Sequence, residues 1–190
     1  QPLCITLEAP ELPPLAQLDP VAASAAHRFM LTHEVQPRLP LAVPLADYAR
    51  VEITGGDENA VRSLARSILL GVATMQSPDD VRIAVLAGDG QLAQWEWAKW
   101  LPHVQSVRVE DRLGPARAIS SSIEELGRML PADLRERSRF SPGAAATPHV
   151  VLVVDGARVP AGDPLVGGDG VAGVTVIEIM GRNAGWLTGA

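Results

Sequence analysis

Residues 50–87 read RVEITGGDENAVRSLARSILLGVATMQSPDDVRIAVLA, and the period of their apolar positions changes twice. Arg50 to Thr54 has the short extended pattern of a strand. After Gly55-Gly56 the spacing becomes helical, which places Val61, Leu64, Ala65, Ile68, Val72 and Met75 on one face of a helix over 58–75. Val81 to Ala87 then reads as a second strand. Strand, helix and strand in this order make a βαβ unit, whose two strands lie parallel in one sheet.

The rest of the chain extends that unit. Val150 to Val154 and Val174 to Ile179 are near-continuous β-branched runs, the pattern of strands covered on both faces, and a shorter strand is expected at Ser106 to Val109. Helices are predicted over 20–34, over 92–101, and from the pair Ser121 and Glu124, which has capping-box spacing, to about Arg137. The first of these opens on Asp19 as N-cap with Pro20 at the first helical position, and Ala22, Ala25, Phe29 and Met30 follow at helical spacing. Strands alternating with helices of this length give an α/β fold: three layers, a mainly parallel sheet, helices on both faces. Pro2, Pro10, Pro13, Pro14 and Pro20 mark residues 1–19 as an arm or linker holding at most a short edge strand at Cys4 to Leu7. A folded domain over 20–181 and a tail over 182–190 complete the expected organisation.

Composition narrows the function classes. At 47% hydrophobic and 20% charged the chain lies in the ordinary globular range, so it has a core of its own to bury. One cysteine, Cys4, can form neither an internal bridge nor a Cys-rich zinc site. With no basic and apolar leader at its start, a reducing, cytoplasmic setting is the expectation. A net charge of −6 argues against a surface that neutralises nucleic-acid phosphates. No run approaches the roughly 20 apolar residues of a membrane span.

The loop after the first strand is where a P-loop fold would hold phosphate. That pattern requires two glycines five residues apart, a lysine for the β/γ oxygens, and a Ser or Thr hydroxyl for Mg²⁺. Gly55 keeps the first glycine, with Gly56 beside it. Ala60, Val61 and Arg62 stand where the second glycine, the lysine and the hydroxyl belong, and Asp57 and Glu58 bring negative charge to the phosphate position. The loop is therefore either a structural turn or a weakened nucleotide site using Gly55, Gly56 and Arg62. Asp155, at the end of the valine-rich strand and followed by Gly156, has the position of a Mg²⁺-binding aspartate and would hold the metal only if a nucleotide binds. No glutamate follows it to polarise water. No catalytic residue is identified: the four histidines are scattered, no nucleophile has a paired base, and Ser120 to Ser122 are better placed as helix caps.

Gln94 to His103 carries Trp95, Trp97 and Trp100, with Trp97, Trp100 and Leu101 expected on one helical face. The rings are either core or an anchor surface for a partner protein. With Ser77-Pro78-Asp79-Asp80, Pro148-His149 and Gly170-Val171-x-Gly173-Val174-Thr175, the segment Trp95-Glu96-Trp97-Ala98-Lys99-Trp100-Leu101-Pro102-His103 resembles the EccC family, FtsK/SpoIIIE-type ATPases of actinobacterial type VII (ESX) secretion systems. The likeness is to the membrane-proximal domain between the stalk and the first ATPase domain, and it covers roughly residues 5–180. It implies a P-loop NTPase (RecA/FtsK-like) topology with a degenerate nucleotide site, in a piece of a larger membrane-anchored protein at the cytoplasmic face of the plasma membrane. Implied neighbours are the rest of EccC, the ubiquitin-like domains of EccD, and the membrane components EccB and EccE. The function it implies is non-catalytic coupling of the membrane part to the motor, with no cofactor required. Its rival is a regulatory or slow domain binding Mg·ATP weakly, and a plain spacer is a third reading.

Overall fold

The computed structural model describes residues 19–33, 42–144, 146–160, 162–167 and 169–180. The edge strand expected at Cys4 to Leu7 and the tail over 182–190 lie outside the described residues. Two compact units divide the chain, 1–43 and 44–190. The first contributes helix α1, Pro20–His33. Its start is as expected: Asp19 accepts from the backbone N–H of Ala22 at 3.3 Å, occupying one of the donors a helix start leaves unpaired.

The second unit holds, in chain order, β1 (Arg50–Thr54), α2 (Glu58–Met75), β2 (Val81–Ala87), β3 (Gln105–Asp111), β4 (Gly114–Arg117), β5 (Ile119–Ser120), α3 (Ile123–Met129), β6 (His149–Asp155) and β7 (Val174–Met180). Five strands form one parallel sheet in the order β1-β7-β6-β2-β5. The α/β reading therefore holds, with β6 at the centre between β7 and β2. Along β6, Val150, Leu152 and Val154 pack on the α3 side, while Val151 and Val153 pack on the α2 side. This two-residue alternation with both faces covered explains why the run is apolar throughout. On α2 the buried line is Val61, Ala65 and Leu69, whereas Leu64 and Met75 face outward, so the helix is turned slightly from the face its sequence suggests.

Three expectations need correction. The helix expected over 92–101 is a 3₁₀ helix, Leu92–Trp100. With three residues per turn, positions i and i+3 eclipse. Leu92, Trp95, Ala98 and Leu101 thus line up and all pack into the α2-side core, whereas Trp97 and Trp100, three apart, form a second line that Leu101 does not share. The helix expected to run to Arg137 stops at Met129, because Pro131 disfavours helical backbone at the preceding residue and Leu130 is extended. A 3₁₀ turn, Ala132–Arg135, follows. The N-cap of α3 is Ser122, accepting from Glu125 N–H at 3.3 Å, one residue beyond the pair the sequence suggested. Finally, the short strand near 106–109 spans Gln105–Asp111 and folds back on an unforeseen β4 as an antiparallel ribbon separate from the main sheet.

One buried polar chain ties β6 to the start of the unit. Thr175, fully buried, donates to a carbonyl, either Leu45 O at 2.7 Å or Tyr48 O at 2.9 Å. Its oxygen then accepts from His149 Nε2–H at 3.0 Å. Burial, with a smaller contribution from Arg137, holds the His149 pKa below its ordinary value of 6.5. The unfolded chain therefore takes up this proton first as pH falls. The stability tied to His149 is complete above about pH 6.5 and is lost as pH falls from there through the lower folded-state value. Denaturant midpoints at about pH 7.5 and pH 5.5 should differ for the native chain, and by less for His149→Gln.

Candidate functional site

Helix α2 begins earlier than a phosphate-binding loop permits. Asp57 is its N-cap, taking Asn59 N–H on its side chain at 2.9 Å and Val61 N–H on its carbonyl at 3.1 Å. Glu58, Asn59 and Ala60 are already helical, so only Gly55 and Gly56 form the turn. Of the backbone N–H groups that would cradle phosphate, those of Asn59 and Val61 are taken by Asp57 itself. Val61, at the position of the lysine, turns inward as part of the core, and a Cβ on Gly55 would meet its Cγ2 at 2.8 Å.

Arg62, one residue on, reaches the end of β6. Its Nε donates to Asp155 Oδ2 at 2.8 Å and its Nη2 to Asp155 Oδ1 at 3.2 Å, a bidentate pair. Trp95 Nε1 donates to the same Oδ2 at 3.0 Å. Glu58 accepts from Arg62 Nη1 at 3.1 Å, one helical turn back. Asp155 is 2% exposed and the Arg62 side chain 11%, so solvent screens this pair weakly. The Asp155 carboxylate pushes the guanidinium pKa up further, against the opposing cost of burial. Arg66, one turn further along α2, extends the cluster: its guanidinium carbon lies 5.9 Å from the Trp95 ring centre, and its Nη2 donates to Gln94 Oε1 at 2.8 Å.

The strand ends beneath this cluster are closely packed. Gly88 N–H donates to Asp155 O at 2.9 Å, and a Cβ on Gly88 would stand 2.6 Å from Gly156 O, so only glycine lets the ends of β2 and β6 approach this closely. Gly156 itself has φ of +63°, which turns the chain away immediately after Asp155.

The sequence-derived candidates thus separate. Arg62, Asp155 and Trp95 come together. Gly55 and Gly56 form the turn between β1 and α2, and β1 lies two places from β6 in the sheet. Trp95 is fully buried and offers no surface to a partner, Trp97 is half-buried, and Trp100 is 80% exposed with Lys99 Nζ 5.8 Å from its ring centre. What the sequence reading missed is that Arg62 and Asp155 partner each other. The signal was present: a cation stands at the position where the hydroxyl would help hold Mg²⁺, opposite the aspartate that would do the same. Both oxygens of that carboxylate are engaged, and a divalent cation would have to displace the guanidinium to reach them. Among the described residues no group of three or more His, Cys, Asp or Glu side chains is placed to hold a metal.

The chain matches no family model. It is similar to the ESX secretion system protein EccC of Thermomonospora curvata, 37% identical over 185 residues, which are 97% of this chain and 14% of that protein. Similarity extends to the ESX-4 secretion system protein EccC4 of Mycobacterium tuberculosis, 33% identical over 97% of this chain and 13% of the relative. The ESX-1 secretion system protein EccCa1 of the same species is 32% identical over 91% of this chain and 22% of the relative. The chain therefore spans a small part of the length of the curated relatives it matches, and no helix among its described residues is long and apolar enough to cross a membrane.

Proposed function

The chain is a homologue of one segment of the EccC proteins of ESX secretion systems, and on that premise we propose that it is a non-catalytic, ATPase-like domain that couples the membrane-anchored part of a type VII secretion motor to its active ATPase domains. The observation that carries this reading is the Arg62–Asp155 pair. A guanidinium occupies the carboxylate that a nucleotide-binding domain reserves for Mg²⁺, and the loop that would hold phosphate is folded into α2. In this reading the domain contributes contacts and not nucleotide chemistry. Its partners in this reading are the rest of the EccC chain and, by the family resemblance, the ubiquitin-like domains of EccD and the membrane components EccB and EccE. Its place is the cytoplasmic face of the plasma membrane.

The paired substitution Arg62→Gln with Asp155→Asn tests this in the full-length protein. It removes both charges together and leaves two amides of similar size to bond each other. Secretion should survive it. Loss of secretion with the domain still folded would show that the charges act in chemistry and not in packing.

Trp100 is the contact residue this reading favours, since an exposed indole is a frequent anchor in protein interfaces. Trp100→Ala is expected to change folding stability by no more than about 0.5 kcal/mol. It should nevertheless reduce recovery of the assembled membrane complex, as measured by co-purification. Unchanged recovery and unchanged secretion would remove Trp100 from the interface.

A further inference from the structure

The face of the sheet covered by α3, opposite the one that carries Arg62 and Trp95, has a cavity of about 400 Å³. Leu130, Leu134 and Leu165 form its apolar floor, all three buried in the α3-side core. Its rim carries Arg108 from β3, Arg128 from the last turn of α3 and Arg135 from the 3₁₀ turn that follows. Most arginines of this unit are tied down: Arg50 to Glu178, Arg62 to Asp155, Arg137 to Asp133, Arg139 to Asp169. No hydrogen bond or ion pair joins the guanidiniums of Arg108, Arg128 or Arg135 to any described residue.

The walls are held at a fixed separation. Ser106 Oγ donates to Met129 O at 2.9 Å, pinning β3 to the end of α3, and accepts from Arg108 N–H at 3.1 Å and Val109 N–H at 3.0 Å. One hydroxyl thereby sets where Arg108 stands relative to Arg128. Glu124 also lines the cavity, and its carboxylate is held below the usual range by the Ser122 hydroxyl at 2.8 Å, with Arg128 and Arg135 contributing. Three cations against one anion leave the mouth positive on a chain whose net charge is −6.

We propose that this cavity binds an acidic peptide segment of a partner protein, which seats an aliphatic side chain on the leucine floor and its flanking carboxylates on Arg108, Arg128 and Arg135. Guanidinium matches carboxylate in paired hydrogen bonds, and three arginines on three separate elements, none of them hydrogen-bonded through its guanidinium to a described residue, suit several carboxylates spread along a segment. A single phosphate would use one point of the rim and none of the floor. The inference is independent of the nucleotide question, because the cavity and the Arg62–Asp155 pair lie on opposite faces.

The test is fluorescence anisotropy with a fluorescein-labelled peptide, Glu-Glu-Leu-Glu-Leu-Glu-Glu, titrated with the 190-residue chain. Saturable binding is expected, weakened about tenfold or more in R108Q/R128Q/R135Q, the factor for losing even one charge-assisted hydrogen bond. Replacing both leucines of the peptide by serine should weaken binding as well. Amide shifts of Gly127 and Leu165 in the native chain, induced by the peptide, locate the site even if the triple variant folds poorly. No binding up to millimolar peptide, equal binding by the folded triple variant, or shifts confined to other residues would overturn the proposal. So would equal affinity for the serine peptide, or displacement by inorganic phosphate at matching concentration, which would mark a general anion site.

Discussion

Arg62→Ala is expected to lower the thermal midpoint by roughly 6 to 20 °C. Removing one partner of a buried ion pair costs about 3–5 kcal/mol, because the other is left charged and without compensation. In a domain of this size each kcal/mol shifts the midpoint by about 2–4 °C. Asp155 is the partner left behind, at 2% exposure, and the indole N–H of Trp95 is its one other side-chain donor. Asp155→Asn should cost less. Arg62 keeps Glu58 at 3.1 Å, its side chain reaches solvent, and the amide oxygen still accepts. The order of the two variants in differential scanning calorimetry is the check: Arg62→Ala below Asp155→Asn. Equal midpoints for native and Arg62→Ala would mean that the pair contributes nothing to the fold.

Trp95→Ala is the second large effect, at about 3–5 kcal/mol, the cost of emptying a fully buried aromatic site. Trp95 is the largest fully buried side chain among the described residues and lies in the same line as Leu92, Ala98 and Leu101. Its removal opens the α2-side core and also deprives Asp155 Oδ2 of a donor. Trp95→Phe separates the two contributions. The ring still fills most of the space, and the loss falls to about 1.5–3 kcal/mol, the range for a hydrogen bond to a charged group. Urea unfolding of the three proteins measures both numbers. If Trp95→Phe proves as stable as the native chain, the indole N–H is not a necessary part of the site.

The parts of this fold that depend on period were legible in the sequence. The βαβ unit over 50–87 and the strands β6 and β7 show because each has a single repeat sustained over several residues, and because strands buried on both faces have no polar side. Elements whose geometry departs from the usual two periods were not legible. The tryptophan segment has apolar residues compatible with an α-helix, and only its packing selects the three-residue turn that buries Trp95 and frees Trp100. The β3–β4 ribbon was hidden by Pro115 within its second strand, a residue tolerated there because the ribbon stands apart from the main sheet. Pro131 is a stop signal for α3 that the sequence does carry.

At the site, each residue was visible and the relation between them was not. Arg62 and Asp155 are 93 positions apart, and nothing local joins them. Their meeting depends on strand order, since β6 lies two places from β1 across β7 while α2 reaches over that face of the sheet. The substitution of a cation for the expected hydroxyl was the one sign in the sequence that the aspartate had acquired an internal partner. The separation of the tryptophans into a buried donor and an exposed ring likewise needed the backbone. With it, the three rings become a hydrogen-bond donor in the core, a half-buried packing residue and a candidate contact.

Titration calorimetry of the chain with Mg·ATP tests the proposed absence of nucleotide chemistry most directly. With Asp155 bound by Arg62 and the phosphate loop absorbed into α2, the expected result is no saturable heat up to millimolar nucleotide. Micromolar binding that is lost in Asp155→Asn, with the variant still folded, would contradict it and make this a nucleotide-binding domain.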